Sequence, residues 1–287
     1  MNRSMTDRPS PSRTLTLAVI VPTWQEADCL PLLLQSLQEQ SAPAECIVVA
    51  DGGSTDGTAA IAEQGGALVL SCPQRGRGRQ IAYALDFCPQ DIILIAHADM
   101  IFPPVALERV RQRLADHPEI VGGCLGHRFD SAAWWYRLVE WADRRRARRG
   151  LAYGDQAQFF RRSVLEAIGG FPPWPFLEDV ALSRRLQLSG PLAYLDLPVT
   201  VSPRRFQKRG LLPVLWQNWR IRRRLARHGE TIVEKLYQEY YAAPPPAAGV
   251  EALRQRETSE PRGQNRSSHA ALPGRNRGHA SDGVAHG

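Results

Sequence analysis

Leu17 to Val21 form an unbroken apolar run that stops at Pro22, the pattern of a strand covered on both faces. Behind it Leu30, Leu33, Leu34 and Leu37 recur at i, i+3, i+4 and i+7. That spacing predicts a helix with Asp28 as N-cap and Pro31 in its first turn. The alternation continues with a strand over Cys46 to Ala50, a helix over Thr55 to Gln64 and a strand over Ala67 to Leu70. A helix over Gln80 to Phe87, a strand over Asp91 to Ala96 and a helix over Pro104 to Ala115 follow. Such a β-α-β rhythm predicts an α/β fold: a doubly wound, mostly parallel sheet with helices on both faces. Ligands of these sheets lie beyond the carboxyl ends of the strands, so the chemistry is sought directly after them.

From Ser131 the pattern changes. Trp134, Trp135, Leu138 and Trp141 share one face of an amphipathic helix that ends in Arg144, Arg145, Arg146, Arg148 and Arg149. The stretch Tyr153 to Phe160 comes next, then a helix around Ser163 to Ile168 and a Gly169-Gly170 turn. Phe171 to Phe176 is rich in proline and aromatics and leads into a helix over Val180 to Leu188. Residues 211–227 read as a further helix, with Leu211, Leu215, Trp219 and Ala226 on one face and arginines opposite. Either that helix rests on an anionic membrane or it packs against the rest of the chain. After Tyr241 large apolar side chains become scarce, which predicts a disordered tail over 242–287. The first 14 residues are polar and lack the apolar middle of a signal peptide, so a ragged, cytoplasmic start is expected.

Composition narrows the picture. No apolar run in the 287 residues reaches the ~18 that a membrane span needs. Cys29, Cys46, Cys72, Cys88 and Cys124 are odd in number and scattered, which argues against a disulfide framework and a zinc site. The net charge of +7 is unevenly placed: residues 204–228 hold nine Arg or Lys and no acid. Such a patch suits phosphate-bearing partners or is simply a solvated helix face. No specific nucleic-acid contact is expected.

Three acidic positions follow strands or open a helix. Asp51, ahead of Gly52 and Gly53, can reach a base or ribose where the glycines let a ligand approach, with Ser54 and Thr55 opening the next helix; alternatively the segment is a bare strand-turn-helix cap. Asp99 in His97-Ala98-Asp99 can hold a hard divalent ion or is a strand-end cap, and His97 is expected to support its loop. Glu178 and Asp179 start a helix, where carboxylates commonly act as dipole partners. The apolar run before them can instead form a dry wall that raises the basicity of an acid there. Arg75-Gly76-Arg77-Gly78-Arg79-Gln80 reads as a flexible anion cradle suited to diphosphate.

VIVPTWQE at 19–26, ADGGSTDGT at 50–58, GRGRQ at 76–80, HAD at 97–99, GDQ at 154–156 and FLEDVALSRRL at 176–186 together resemble glycosyltransferase family 2. The similarity covers about residues 17–240 and also resembles a bacterial branch linked by name to arsenosugar biosynthesis. It implies a GT-A fold, a nucleotide-diphosphate sugar donor, a hydroxyl-bearing acceptor, Mg²⁺ or Mn²⁺, and inversion. It also implies a nucleotide-sugar-binding half over 15–130 and an acceptor and catalytic half over 131–241. Donor contacts would fall to Pro22, Glu26, Asp51, Gly52, Gly53, Arg77, Arg79, Gln80, His97, Arg205 and Arg209. Gly154, Asp155, Gln156 and Trp174 would border the acceptor, Asp99 would hold the metal, and Asp179, with Glu178 beside it, would be the general base. Two departures stand out: His97 takes the place of the usual first Asp of the metal motif, and Gln207 begins no QxxRW, since position 210 is Gly. A nucleotidyltransferase would share the fold, but its Gly-rich loop after the first strand is replaced here by PTWQEADC. A catalytically silent nucleotide-binding or nucleic-acid-binding module is the rival of a different class.

Overall fold

The computed structural model describes residues 14–242, and the side chain of Ala242 is not described. The expected ragged start and the expected tail fall on residues outside this range, apart from Thr14 and Ala242. The first half runs β1 Leu17–Thr23, α1 Leu30–Gln38, β2 Cys46–Asp51, α2 Thr58–Gln64, β3 Leu68–Ser71 and α3 Arg77–Leu85. It continues with β4 Ile92–Ile95, β5 Met100–Ile101 and α4 Ala106–Asp116. Then come β6 Gly122–Phe129, α5 Trp134–Ala147, a short turn of 3-10 helix at Gly154–Gln156, β7 Gln158–Arg161 and α6 Arg162–Ala167. The described chain closes with α7 Glu178–Ser189, β8 Leu192–Val201, α8 Arg204–Arg209, α9 Leu211–His228 and α10 Val233–Ala242.

The strands form one sheet in the order β3-β2-β1-β4-β7-β6-β8-β5. Pairing is parallel from β3 to β4 and between β6 and β8, whereas β7 and β5 run against their neighbours. Alternate residues of the central strands feed two cores, as the pleat requires. Leu17, Val19 and Val21 with Leu94 and Phe159 pack against α1 and α4 on one face. Ala18 and Ile20 with Ile93, Ile95 and Phe160 pack against α3 and α7 on the other. The expected α/β sheet with helices on both faces is therefore present.

Several element ends differ from the sequence expectation. Cys29, not Asp28, flanks α1, and no side chain caps it. Nor does α2 open at Ser54 and Thr55: Asp56 accepts from the backbone N–H of Thr58, and Gly57 at φ 89° delays the helix to Thr58. Strands β6 and β8 carry no clean apolar pattern. Gly123 is required there, because a Cβ would stand 2.0 Å from the carbonyl oxygen of Ala193 on β8.

The basic helix α9 packs through Val214, Ile221 and Leu225, a different face from the one expected. Leu212, Leu215, Trp216 and Trp219 stay exposed. The apolar stripe of α5 is also open, with Trp134 72% and Trp141 62% exposed. No described helix is long and apolar enough to cross a membrane.

Candidate active site

The site is organised by how closely α3 begins against the loop that precedes α7. A Cβ at Gly78 would lie 2.2 Å from the Trp174 carbonyl oxygen and 2.9 Å from Cβ of Glu178. Only glycine permits that approach. The N–H groups of Arg77 and Gly78 donate to the carbonyls of Pro175 at 3.2 Å and Trp174 at 3.1 Å. Gly76 donates to Oε1 of Gln80 at 3.1 Å, and Nε2 of Gln80 donates to the carbonyls of Thr23 at 2.8 Å and Ala50 at 2.7 Å. The backbone N–H groups of Gly76, Arg77 and Gly78 in this stretch are thus used inside the protein. Its arginines also have partners. Arg75 lies 3.3 Å over the Trp24 ring, Arg79 pairs with Glu234 at 2.6 Å, and Nε of Arg77 stands 3.1 Å from Glu178.

That junction fixes the two carboxylates of α7. Leu177, at φ 63°, turns the chain into the helix. Glu178 is only 2% exposed, and burial raises its carboxyl to about 7, with Arg77 only partly offsetting this. Burial opposes the Arg77 charge, but the carboxylates of Glu178 and Asp179 outweigh it and raise the Arg77 pKa. Asp179 points elsewhere. Its Oδ2 accepts from the N–H of Gly154 at 2.6 Å and its Oδ1 from the N–H of Val180 at 2.7 Å. Gly154 cannot carry a side chain here, since a Cβ would meet Cε1 of His97 at 2.4 Å. Of the apolar run before the two acids, Phe171 and Phe176 are buried, while Trp174 packs near Val180, Leu225 and Val233.

A second corner lies at the ends of β1 and β2 and beyond β4. Arg204 donates to both carboxylate oxygens of Glu26, at 2.9 and 2.7 Å, and its Nε stands 3.5 Å from Asp99. Burial and the neighbouring charges of Asp155 and Glu26 push the Asp99 carboxyl up to about 6 against the pull of Arg204. His97 is held down to about 4 by burial and by Arg77, so it is neutral at neutral pH, and its Nε2 is buried without a partner. Asp51 accepts from Thr23 Oγ1, from the N–H groups of Gly53 and Ser54, and from Ser54 Oγ. Its carboxylate therefore shapes the loop, in which Gly52 lies against Gln80. Pro22 is buried within β1.

Among the described residues no three His, Cys, Asp or Glu side chains gather at metal-ligand spacing. The corner nevertheless suits a partial cation site, because Asp99, Glu26 and Asp155 crowd negative charge around the single guanidinium of Arg204.

A cavity of about 120 Å³ joins Asp179, Gly154 and Asp155 to Arg77, Arg205 and Arg222. Sequence reasoning placed Arg77 and Arg205 with the donor and the GDQ turn with the acceptor; the fold puts both groups on this one cavity. It does not bring Arg79, Arg209 or Trp174 to the cavity lining, and Gln156 is buried beside it. Arg204, Arg222 and Asn218 were missed. Adjacent arginines in a basic stretch carry no pattern that tells which one turns inward.

The sequence profile described as Glycosyl transferase family 2 matches residues 18–168, more than half of the chain. The chain belongs to glycosyltransferase family 2. It is 32% identical over 167 residues to the undecaprenyl-phosphate 4-deoxy-4-formamido-L-arabinose transferase of Pseudomonas aeruginosa, covering 53% of this chain and 49% of that protein. It is 29% identical over 112 residues to protein RfbJ of Shigella flexneri, covering 39% of this chain and 86% of RfbJ. The chain thus spans about half the length of the first of these family relatives. S. aureus TarS, residues 1–349, superposes with a TM-score of 0.57 at 19% identity, over 67% of this chain and 62% of that one. The mannosyltransferase PcManGT from Pyrobaculum calidifontis, solved with GDP-Man and Mn²⁺, gives 0.52 at 21% identity, over 89% and 82%. At these identities the likeness shows a shared fold for this family 2 chain.

The raised pKa of Glu178 gives a stability prediction. A carboxyl whose folded pKa lies above its unfolded value contributes stability that is complete below the unfolded pKa, 4.5, and is lost as pH rises through about 7. Melting temperatures of the wild type and Glu178→Gln between about pH 5 and pH 8 read this directly. The wild type should lose ground against the variant as pH rises; parallel curves would show that Glu178 is not buried as an acid.

Proposed function

We propose that this chain transfers a sugar from a nucleotide-diphosphate sugar to an acceptor hydroxyl with inversion, using Asp179 as general base. The observation that carries the reading is the setting of Asp179. Its carboxylate is aimed by two backbone N–H groups into a cavity that also holds three arginines. Glu178 is the weaker candidate, because it faces Arg77 and is almost fully enclosed.

The donor would lie along the strand ends, from the loop of Asp51, Gly52 and Gly53 towards Asp99. Gly154 and Asp155 would border the acceptor. Asp179 takes the proton of the acceptor hydroxyl as its oxygen attacks the anomeric carbon from the side opposite the diphosphate. Arg77 and Arg205 face the leaving diphosphate and stabilise the charge it gains. Neutral His97 packs against Gly154 and so supports the turn that orients Asp179. Asp99 would hold Mg²⁺ or Mn²⁺ together with the donor phosphates, and a bound ion supplies further neutralisation of phosphate charge. Arg204 shares that corner, so an arriving donor meets a guanidinium already in place.

The reading includes a peripheral membrane contact on the cytoplasmic side. The exposed Leu212, Trp216 and Trp219 alternate with Arg220 and Arg223 on α9, a composition suited to an anionic interface. Sedimentation with phosphatidylglycerol vesicles at low salt should bring the protein down and release it at high salt. A protein that stays in the supernatant throughout has no such contact.

Asp179→Asn should reduce sugar transfer by roughly two to four orders of magnitude, the usual contribution of a general base. Nucleotide-sugar binding, measured by calorimetry on the same preparation, should persist. Near-normal transfer by the variant, or loss of donor binding together with activity, would remove Asp179 from the base position.

A further inference from the structure

Arg204 is delivered to its corner by the sheet. Strand β8 ends at Val201, which pairs with Met100 of β5, and the N–H of Ser202 donates to the Asp99 carbonyl at 3.3 Å. Two residues on, Arg204 opens α8 within reach of the Asp99 side chain. Glu26 is fixed from another direction: the N–H groups of Gln25, Glu26 and Ala27 donate to the side chains of Ser54, Thr58 and Asp56. One guanidinium then serves both acids. Its Nη2 donates to both Glu26 oxygens, its Nε stands 3.5 Å from Oδ2 of Asp99, and its Nη1 stands 3.3 Å from Sγ of Cys29.

Charge decides what else this corner can hold. Two carboxylates and one guanidinium leave a single negative charge uncompensated. A divalent ion added beside Arg204 would turn the balance positive and set two cations within a few ångströms of each other. Ions such as Mg²⁺ are commonly held by one or two carboxylates together with substrate phosphates. The carboxylates that could do so here are the ones Arg204 already holds, and His97 offers an imidazole where the family motif has its first acid. A diphosphate changes the count. Its oxygens can take over the guanidinium and complete the ion's ligands at the same time.

We infer that Arg204 competes with the divalent ion for Asp99 and Glu26. Without a diphosphate its guanidinium fills the cation position, and it yields the two carboxylates only when phosphate oxygens draw it away. The inference rests on the reading of Asp99 as the metal residue and adds to it what controls entry of the ion. Arg204 becomes a positioning residue that makes metal binding conditional on the diphosphate.

The test is Mn²⁺ binding to the full chain without nucleotide, read from the free-ion signal in electron paramagnetic resonance. The wild type should bind Mn²⁺ weakly. Arg204→Gln should bind it about tenfold or more tightly, because a competing charge at ion-pair distance is gone. Adding Asp99→Asn to that variant should cancel the gain. Arg204→Lys keeps the charge without the two-pronged contact and should fall between the two; it carries the test if the Gln variant does not fold. In a second arm, calorimetric binding of pyrophosphate in excess EDTA should weaken about fivefold or more in Arg204→Gln. Unchanged Mn²⁺ affinity in both Arg204 variants, with binding still lowered by Asp99→Asn, would overturn the inference alone. A gain that survives Asp99→Asn, or Mn²⁺ binding indifferent to Asp99 throughout, would overturn the metal reading of Asp99 and the inference with it. Unchanged pyrophosphate binding in Arg204→Gln would remove the diphosphate from the exchange and overturn it too. Neither readout depends on sugar transfer.

Discussion

Two backbone hydrogen bonds, from Arg77 and Gly78 to the carbonyls of Pro175 and Trp174, hold the first turn of α3 against the loop before α7. They satisfy donors that an α-helix otherwise leaves open at its start. Each contributes about 1 kcal/mol net, but their larger effect is geometric. They set the height at which α7 begins, and therefore where Glu178 is buried and where Asp179 points. Gln80 extends the same constraint inward by bonding the carbonyls of Thr23 and Ala50 at the ends of β1 and β2. One helix start thereby registers the carboxyl ends of β1 and β2 against the start of α7, where Asp179 lies.

The electrostatics follow from this close packing. Glu178 is enclosed with Arg77 and is driven towards its neutral form, whereas Asp179 reaches the cavity and is held by backbone N–H groups. His97 is kept neutral by burial and by nearby arginines, which suits a supporting role beside Gly154. At the far corner Arg204 stands between Glu26 and Asp99 and offsets part of their mutual repulsion. The site thus has two charge centres, a carboxylate-rich corner around Asp99 and Glu26 and an arginine-rich cavity around Asp179.

Much of the sheet was legible because its central strands are buried on both faces and read as continuous apolar runs. Leu17 to Val21 and Ile92 to Ala96 are of that kind. Strand β6 was not, because close strand packing at Gly122 and Gly123 replaces side-chain pattern with glycine, and β8 carries Asp196 and Pro198 amid its apolar residues. The motif around Asp51 was found, yet its function in the fold was not: four hydrogen bonds from its own loop and Thr23 occupy it. GRGRQ was read as an open phosphate loop for a similar reason. Glycine signals a close approach of backbone, and the sequence does not say whether the approaching group is a ligand or the protein's own carbonyl.

In the proposed reaction one carboxylate, Asp179, activates the acceptor from the face opposite the leaving diphosphate. The anomeric configuration of the first product formed, followed by proton NMR before mutarotation or exchange, tests it most directly. An α-linked nucleotide sugar should give a β-linked product, since a single in-line displacement inverts the centre. An α-linked product would require a second displacement or a front-face path, and would contradict the arrangement of Asp179 against the donor.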